Sequence, residues 1–207
     1  MPGPMGWLAL AAAYVLGSTP NAYIAGRVVK GIDLRQHGSG NLGATNVYRI
    51  LGGPAAVVVL LADMAKGALP TLFFAGWFGA GAGQWWPAAL GVASIAGHVW
   101  PYGGLFKGGG KGVATASGVF AALSPGAYGI AALVFVATVA VTRFVSLGSM
   151  LGGLALVGAA ALLYGPQSYL TLLSVLIAVF VVYTHRANIG RLRRGEESRL
   201  GKPAVRS

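Results

Sequence analysis

Seven apolar stretches follow one another along this chain, and they constrain its fold more than any other feature. A helix that spans a membrane needs about 20 largely apolar residues. Only 9% of the 207 residues are charged, whereas soluble domains carry about 25%. The sequence therefore predicts an all-α membrane protein, a bundle of seven transmembrane helices. The predicted spans are Trp7–Ala25, Pro54–Gly79, Trp86–Trp100, Val113–Leu123, Pro125–Val141, Leu147–Leu163 and Tyr169–Tyr183.

The segments that join these stretches alternate between those with basic residues and those without. Of the 15 Lys and Arg residues, 14 fall in the first, third and fifth connections or in the C-terminal tail, and the other, Lys66, lies inside the second stretch. Cytoplasmic loops attract Lys and Arg. We therefore predict that the N-terminus lies outside and the C-terminus lies in the cytoplasm. The short fourth stretch, Val113–Leu123, must cross the membrane for this alternation to hold.

Composition also excludes several classes of protein and site. The chain has no Cys, which excludes thiol nucleophiles and disulfides. Its three His residues lack the nearby carboxylates of a convincing zinc site, so we expect neither a metal nor a cofactor. The net charge of +11 follows the loops and the tail, which predicts membrane lipids and not nucleic acid as the basic surface's partner. We expect a single domain over residues 1–207, with a basic cytoplasmic tail from about residue 186.

The first cytoplasmic loop combines glycines with hydroxyl, amide and guanidinium groups. Glycines let backbone N–H groups converge on an anion, and an Arg side chain can bind a phosphate with two parallel hydrogen bonds. The loop is therefore a candidate phosphate site, although Gly, Ser and Asn also dominate ordinary flexible turns. The candidate residues are Ser39, Gly40, Asn41, Thr45, Asn46 and Arg49.

The third connection places three glycines between two lysines, immediately before a predicted helix. This pattern is typical of an anion cradle at a helix N-terminus. It is not a nucleotide P-loop, because Leu105 and Gly112 stand where that pattern requires Gly and Ser or Thr. A loop that only enforced topology would need no glycine run, so phosphate binding is favoured. The candidate residues are His98, Lys107, Gly108, Gly109, Gly110, Lys111 and Thr115.

Two further cytoplasmic segments and one intramembrane pair carry weaker signals. The fifth connection offers a basic residue and hydroxyls, which suit either anion binding or a topology anchor. At the end of the last span, a His and an Asn three residues apart share a helix face, as a binding pair or as an interfacial His with an amide cap. Asp63 and Lys66 form either a structural ion pair or a functional one. The candidate binding residues here are Arg143, Ser146, Ser149, His185 and Asn188.

These loops together resemble one known family. The segments 39–49, 97–115, 143–149 and 185–188 resemble, in order and spacing, the signatures of the bacterial acyl-phosphate:glycerol-3-phosphate acyltransferases (the PlsY family). The resemblance extends from about residue 17 to residue 191. In one departure, three glycines separate Lys107 from Lys111 where the family pattern has two. Which of these lysines takes the phosphate-binding role is therefore left open.

The resemblance implies a multi-pass enzyme of the bacterial inner membrane with a cytoplasmic active site. It implies transfer of a fatty acyl group from acyl phosphate to the 1-hydroxyl of glycerol 3-phosphate, giving lysophosphatidic acid and phosphate in the first acylation of phospholipid synthesis. A transporter for an organic phosphate is the alternative, although no inverted repeat supports it. Ser39, Arg49 and Lys107 or Lys111 would bind phosphate. Ser146 or Ser149, with His185 and Asn188, would position glycerol 3-phosphate.

The proton acceptor is left open by the sequence. His98 is either the general base or a hydrogen-bond partner of the glycine loop, which is residues 107–111. The substrate's own phosphate is another candidate proton acceptor. We expect direct transfer without an acyl-enzyme, because an acyl phosphate is already activated. We also expect the four cytoplasmic segments to gather in one pocket at the inner leaflet.

Overall fold

The structure is a computed structural model that describes residues 3–78, 83–104 and 106–201. Within these ranges the regular elements are all helical, as the sequence predicts. The α-helices are α1 (Pro4–Gly17), α2 (Asn21–Lys30), α3 (Ala44–Leu51), α4 (Gly53–Leu69), α5 (Ala75–Phe78), α6 (Trp86–Val99), α7 (Val113–Leu123), α8 (Pro125–Thr142), α9 (Val145–Tyr164), α10 (Tyr169–Thr184) and α11 (Arg186–Arg193).

The first predicted span is interrupted. Helix α1 ends at Gly17 and α2 begins at Asn21, so the apolar stretch predicted over Trp7–Ala25 is two helices and not one. Pro20 explains the break, because proline has no N–H to continue the hydrogen-bond ladder and its ring disfavours helix at the preceding residue. The Ser18 hydroxyl donates to the Tyr14 carbonyl at 2.9 Å, which closes the last turn of α1. Hydropathy alone does not reveal this break.

Among the described residues, three continuous helical segments are long and apolar enough to cross a membrane. They are Gly53–Phe74, Pro125–Thr142 and Val145–Tyr164, and the helix pair Tyr169–Thr184 and Arg186–Arg193, bent by 58°, makes a fourth if it counts as one span. Gly53–Phe74 combines α4 with a turn of π-helix at Pro70–Phe74, where Pro70 removes one regular hydrogen bond. The count of seven crossings stays a prediction, and Gly79, the predicted end of the second span, lies outside the described residues.

The chain forms two compact units, Met1–Leu123 and Ser124–Ser207. In the first, α1 packs on α6 and α4 packs on α7. Glycines make these contacts close: a methyl group added at Gly97 would collide with the Tyr14 carbonyl, and one added at Gly118 would collide with the Met64 carbonyl. Small residues at helix crossings are the usual means of tight packing in membrane proteins, which accounts for part of the chain's 34 glycines.

The second unit is built from α8, α9 and α10 packed in sequence, with α11 following α10. Gly148 lets α9 approach α8, since an added methyl group would meet the Val139 side chain at 2.7 Å. The tail after α11 returns to the start of this unit, where the Leu200 N–H donates to the Arg143 carbonyl at 2.7 Å. The tail is therefore attached to the connection between α8 and α9.

Candidate active site

Asn46 organises the first connection, which follows α2, from its interior. Its side chain is buried, its Oδ1 accepts a hydrogen bond from the Ser39 N–H at 3.0 Å, and its Nδ2 donates to the His37 carbonyl at 3.0 Å. Gly38 and Gly40 adopt φ of +63° and +69°, which glycine adopts at little cost. The amide of Asn46 is thus engaged by the loop itself, and direct contact between Asn46 and a substrate stays a prediction.

The first connection, which follows α2, and the glycine loop lie against each other. The Asn41 Nδ2 donates to the Gly109 carbonyl at 3.4 Å, and the Arg35 Nη1 donates to the Lys107 carbonyl at 3.0 Å. Asn41 and Gly109 are 68 positions apart in sequence. The two segments therefore meet through side chains of the first that donate to backbone carbonyls of the second. Ser39 and Lys107 are exposed beside this contact, while Arg49 and Lys111 are half-buried.

The glycine loop requires its glycines because the backbone of α6 lies directly behind it. The Gly110 N–H donates to the His98 carbonyl at 3.2 Å. A methyl group added at Gly109 would collide with the Val99 and His98 carbonyls, and one added at Gly110 would collide with the His98 ring. Gly108 adopts a φ of +97°, a conformation that favours glycine. The run of three glycines is thus explained by close approach as well as by its capacity to bind an anion.

A cleft beside the glycine loop contains three buried ionisable side chains. It is lined by Asp63 and Lys66 of α4, His98 of α6 and the three loop glycines. The Lys66 Nζ lies 2.9 Å from the Asp63 Oδ1, and the His98 Nδ1 lies 3.7 Å from the same oxygen. The Asn21 Nδ2 also donates to this oxygen, at 2.9 Å. A single carboxylate oxygen therefore gathers side chains from α2, α4 and α6.

Thr115 lies just beyond the glycine loop, in the first turn of α7. It is fully buried, and its hydroxyl has no hydrogen-bond partner among the residues that the structure describes. An unsatisfied buried hydroxyl costs free energy, so an apolar side chain of similar size would pack there at a lower cost than Thr115. Its predicted contact with a substrate stays a prediction.

In the second unit, Glu197 gathers three side chains. Its Oε1 accepts hydrogen bonds from the Ser146 hydroxyl at 2.7 Å and from the Asn188 amide at 2.6 Å, and its Oε2 accepts one from the Arg191 Nε at 2.7 Å. Burial raises the pKa of Glu197, but these three hydrogen bonds together outweigh burial and lower the pKa below its usual value. The carboxylate is thus held in its charged form.

Glu197 was missed by the sequence analysis, which treated the tail as a basic surface segment. The available signal was a pair of acids, Glu196 and Glu197, in an otherwise basic tail. The two differ in environment, since the side chain of Glu196 is 56% exposed and that of Glu197 is 5% exposed. Sequence alone does not separate them, because one contact of Glu197 is with Ser146, which lies 51 positions away.

The remaining predicted residues of the second unit have distinct environments. Ser149 donates to the Val145 carbonyl of its own helix at 2.9 Å, whereas Ser146 contacts Glu197, so the two candidate serines are not equivalent. His185 is buried with its Nδ1 2.8 Å from the Val181 carbonyl. The backbone of α10 therefore orients the His185 ring. Arg143 adopts a φ of +62° at the end of α8, and its carbonyl holds the tail.

Among the described residues there is no group of three or more His, Cys, Asp or Glu residues able to hold a metal ion. The polar groups of both units instead include cations, amides and hydroxyls, together with glycine backbone in the first unit. These groups suit anionic and hydroxyl-bearing ligands.

Comparison with known proteins defines the class. The sequence matches the family model described as glycerol-3-phosphate acyltransferase over residues 7–195. A glycerol-3-phosphate acyltransferase of Halalkalibacterium halodurans is 42% identical over 202 residues, which cover 96% of this chain and 97% of the relative. One from Synechococcus sp. is 44% identical over 196 residues, covering 94% of this chain and 95% of the relative.

Solved structures agree. The crystal structure of PlsY, an integral membrane glycerol 3-phosphate acyltransferase, in its glycerol 3-phosphate form superposes with a TM-score of 0.82 and 36% identity, covering 95% of this chain and 96% of that one. The lysophosphatidic acid form of PlsY gives a TM-score of 0.82 and 35% identity, covering 95% of each chain. The helical fold and its likeness to PlsY define this chain as an integral membrane protein of the acyltransferase class. The chain belongs to the glycerol-3-phosphate acyltransferase family, as the loop signatures indicate.

Proposed function

We propose that this protein transfers a fatty acyl group from acyl phosphate to the 1-hydroxyl of glycerol 3-phosphate. The products are lysophosphatidic acid and inorganic phosphate, in the first acylation of phospholipid synthesis. The observation that carries this proposal is the contact between the first cytoplasmic loop and the glycine loop, through Asn41 and Gly109. Two segments that each have the composition of a phosphate site are held together in one unit.

We assign phosphate binding to cationic and hydroxyl side chains of the first unit. Ser39 and Arg49 supply a hydroxyl and a guanidinium, and Lys107 or Lys111 supplies an ammonium. Such donors neutralise the phosphate of the leaving group and stabilise the oxyanion of the tetrahedral intermediate. The half-buried Arg49 and Lys111 are less screened by water than Lys107, which favours Lys111 as the lysine that contacts phosphate.

We assign the positioning of glycerol 3-phosphate to Ser146, His185 and Asn188. Ser146, with its hydroxyl held by Glu197, is favoured over Ser149, whose hydroxyl bonds its own helix. Asn188 has one amide N–H engaged by Glu197, which orients its carbonyl oxygen and its second N–H. The His185 Nδ1 lies 2.8 Å from the Val181 carbonyl, so the backbone of α10 orients the ring, and we propose that this ring contacts glycerol 3-phosphate.

The chemical step is direct acyl transfer. The oxygen of the 1-hydroxyl attacks the carbonyl carbon of the acyl phosphate, and the bond from that carbon to the phosphate oxygen breaks with its electron pair on phosphate. The hydroxyl proton must go to a base. His98 is buried, with its carbonyl bonded to Gly110 and its ring packed against that glycine, which favours a structural role for His98. The substrate's own phosphate is then the proton acceptor.

The same proposal includes a membrane topology. We infer seven crossings of the bacterial inner membrane, with an external N-terminus and a cytoplasmic C-terminus. This topology puts the loops 35–49 and 107–111 in the cytoplasm, on the side from which both phosphorylated substrates would bind. The alternation of basic loops supports this topology. Cysteine-accessibility labelling of a chain that has no natural Cys tests it: single Cys residues placed at Gln36 and Gln167 are expected to label from opposite sides.

A phosphate-release assay tests the reaction. Detergent-solubilised protein is given acyl phosphate and glycerol 3-phosphate, and inorganic phosphate is measured. We expect release that depends on glycerol 3-phosphate and is lost in a Ser39→Ala, Arg49→Ala double variant. Release no greater than in that variant would contradict the enzyme. Uptake of an organic phosphate by reconstituted vesicles, without lysophosphatidic acid, would instead establish the transporter.

A further inference from the structure

Arg35 makes more directed contacts than an ordinary surface arginine. Its Nε donates to both oxygens of Asp33, at 3.0 and 3.1 Å, and its Nη2 donates to the Asp33 Oδ2 at 2.6 Å. Its remaining terminal nitrogen, Nη1, donates to the Lys107 carbonyl at 3.0 Å. The guanidinium therefore joins a carboxylate of the first cytoplasmic loop to the backbone of the glycine loop.

Two aromatic rings fix the plane of this guanidinium. The Arg35 Cζ lies 5.0 Å from the centroid of Tyr23 and 4.7 Å from the centroid of Phe106. The two rings contact each other edge to face at 5.3 Å. A cation within about 6 Å of a ring face is attracted by the ring's quadrupole. Arg35 is thus held by Tyr23 of α2 and by Phe106, which immediately precedes Lys107.

The contact extends to the first glycine of the loop. A methyl group added at Gly108 would lie 3.1 Å from the Arg35 Cδ, so the aliphatic part of Arg35 covers Gly108. The hydrogen bond to Arg35 lowers the pKa of Asp33 to about 2, against the opposing effect of burial. Asp33 therefore stays ionised, and the attachment of Arg35 persists, throughout the neutral and mildly acidic range.

We propose that Arg35 is a positioning residue that fixes the glycine loop, at Lys107 and Gly108, in the conformation that receives a substrate phosphate. It acts through the backbone and is not itself a phosphate ligand, because its fork is occupied by Asp33 and the Lys107 carbonyl. The proposal deepens the proposed function and rests on it for its kinetic test. A lysine cannot replace Arg35, since one ammonium lacks the planar fork that serves both partners.

Arg27 provides a matched control. It lies beside the same residues, with its Nη2 3.9 Å from the Asp33 Oδ2 and its Cζ 5.2 Å from the Tyr23 centroid. Its hydrogen bonds go to the Tyr23 hydroxyl and the Gly31 carbonyl, which lie outside the glycine loop. Replacing Arg27 therefore removes an equal charge from the same region without removing the attachment of the loop.

Kinetics of Arg35→Lys, Arg35→Ala and Arg27→Ala test the positioning role in the full-length protein in detergent. We expect Arg35→Lys and Arg35→Ala to raise the KM for glycerol 3-phosphate or acyl phosphate about 10- to 100-fold, the scale of a misplaced binding group, with a smaller change in kcat. Arg27→Ala is expected to stay within about twofold of the wild type. Equal effects of the Arg27 and Arg35 variants, or full activity of Arg35→Lys, would overturn the proposal.

Hydrogen–deuterium exchange separates this inference from the reaction itself. We expect the amides of residues 106–112 to exchange faster in Arg35→Ala than in the wild type and in Arg27→Ala, while those of α9 stay unchanged. Unchanged exchange in 106–112 would overturn the positioning role even if the enzyme is active. Faster exchange in a protein without acyltransferase activity would support the attachment of the loop and contradict the proposed function alone.

Discussion

Lys66 and Asp63 form a buried ion pair on α4, with the Lys66 Nζ 2.9 Å from the Asp63 Oδ1. Lys66 also donates to the Thr19 carbonyl at 3.0 Å, so the pair ties α4 to the break that follows α1. An unpaired charge near the centre of a transmembrane helix costs about 2.5–3.5 kcal/mol on insertion scales. The pair satisfies both charges and places them beside His98 and the glycine loop.

Neutralising one partner of this pair should destabilise the protein strongly. We expect Asp63→Asn or Lys66→Met alone to lower the free energy of unfolding by about 3–5 kcal/mol, because each leaves an uncompensated buried charge or group. The double variant should lose less than the sum of the two. Unfolding in a detergent titration measures all three, and strictly additive losses would contradict the coupling.

Replacing Glu197 should release the C-terminal tail. Glu197→Gln is expected to cost about 1–3 kcal/mol, because three hydrogen bonds lose their charged acceptor, and to raise the KM for glycerol 3-phosphate through Ser146 and Asn188. Glu196→Gln is the matched control, since the side chain of Glu196 is exposed and pairs with Arg194. Equal behaviour of the two variants in thermal unfolding and kinetics would contradict the role of Glu197.

The pH dependence of stability follows from the same carboxylate. The folded protein lowers the pKa of Glu197 below its ordinary value of 4.5. Its contribution is therefore fully present above that pH and is lost as the pH falls through the lower, folded value. We expect the difference in Tm between the wild type and Glu197→Gln to be constant from pH 7 to about pH 5 and to narrow below about 4.5. A difference that widens in acid would contradict this account.

Steric contact makes Gly109 intolerant of a side chain. A methyl group there would collide with the Val99 and His98 carbonyls, so Gly109→Ala must displace the loop from α6. We expect a loss of activity of about 100-fold, comparable with other small displacements of binding groups. Gly158→Ala is the control, because an added methyl group at Gly158 meets nothing within 4 Å and alanine favours the helix. Full activity of Gly109→Ala would contradict the packing.

The shape of the Arg49 side chain should matter as much as its charge. Arg49→Lys keeps the charge and loses the fork that binds two phosphate oxygens, so we expect a drop in kcat/KM of about 10-fold or more, or about 1.4 kcal/mol. Arg193→Lys, at the exposed end of α11, is expected to match the wild type. Steady-state assays measure both, and near-native turnover of Arg49→Lys would remove Arg49 from the phosphate site.

The sequence predicted the helical class from hydropathy and pointed to the candidate loops through their glycine content, because both are local properties. It also identified the glycine loop, since Lys107 to Lys111 reads as a unit. The break at Pro20 was missed because hydropathy averaged over a whole apolar stretch changes little across the three residues between α1 and α2. The roles of Arg35 and Glu197 were missed for a different reason. Their partners, Lys107 and Ser146, are distant in sequence, and only the folded chain brings them within 3.0 Å.

Asn46 illustrates the limit of composition as a guide to function. An Asn in a glycine-rich loop predicts a ligand contact, but the fold turns this amide inward to the His37 and Leu34 carbonyls. The same residue types serve to build a loop and to bind an anion. Burial and hydrogen-bond direction distinguish the two uses, and neither is encoded in the local sequence.

The most direct test of the central claim is the ratio of products formed by the purified wild-type protein. With acyl phosphate and labelled glycerol 3-phosphate, we predict one lysophosphatidic acid, acylated at the 1-hydroxyl, for every inorganic phosphate released, and neither product when glycerol 3-phosphate is omitted. Lysophosphatidic acid formed from acyl-CoA and not from acyl phosphate, or phosphate released without the lipid, would contradict the assignment.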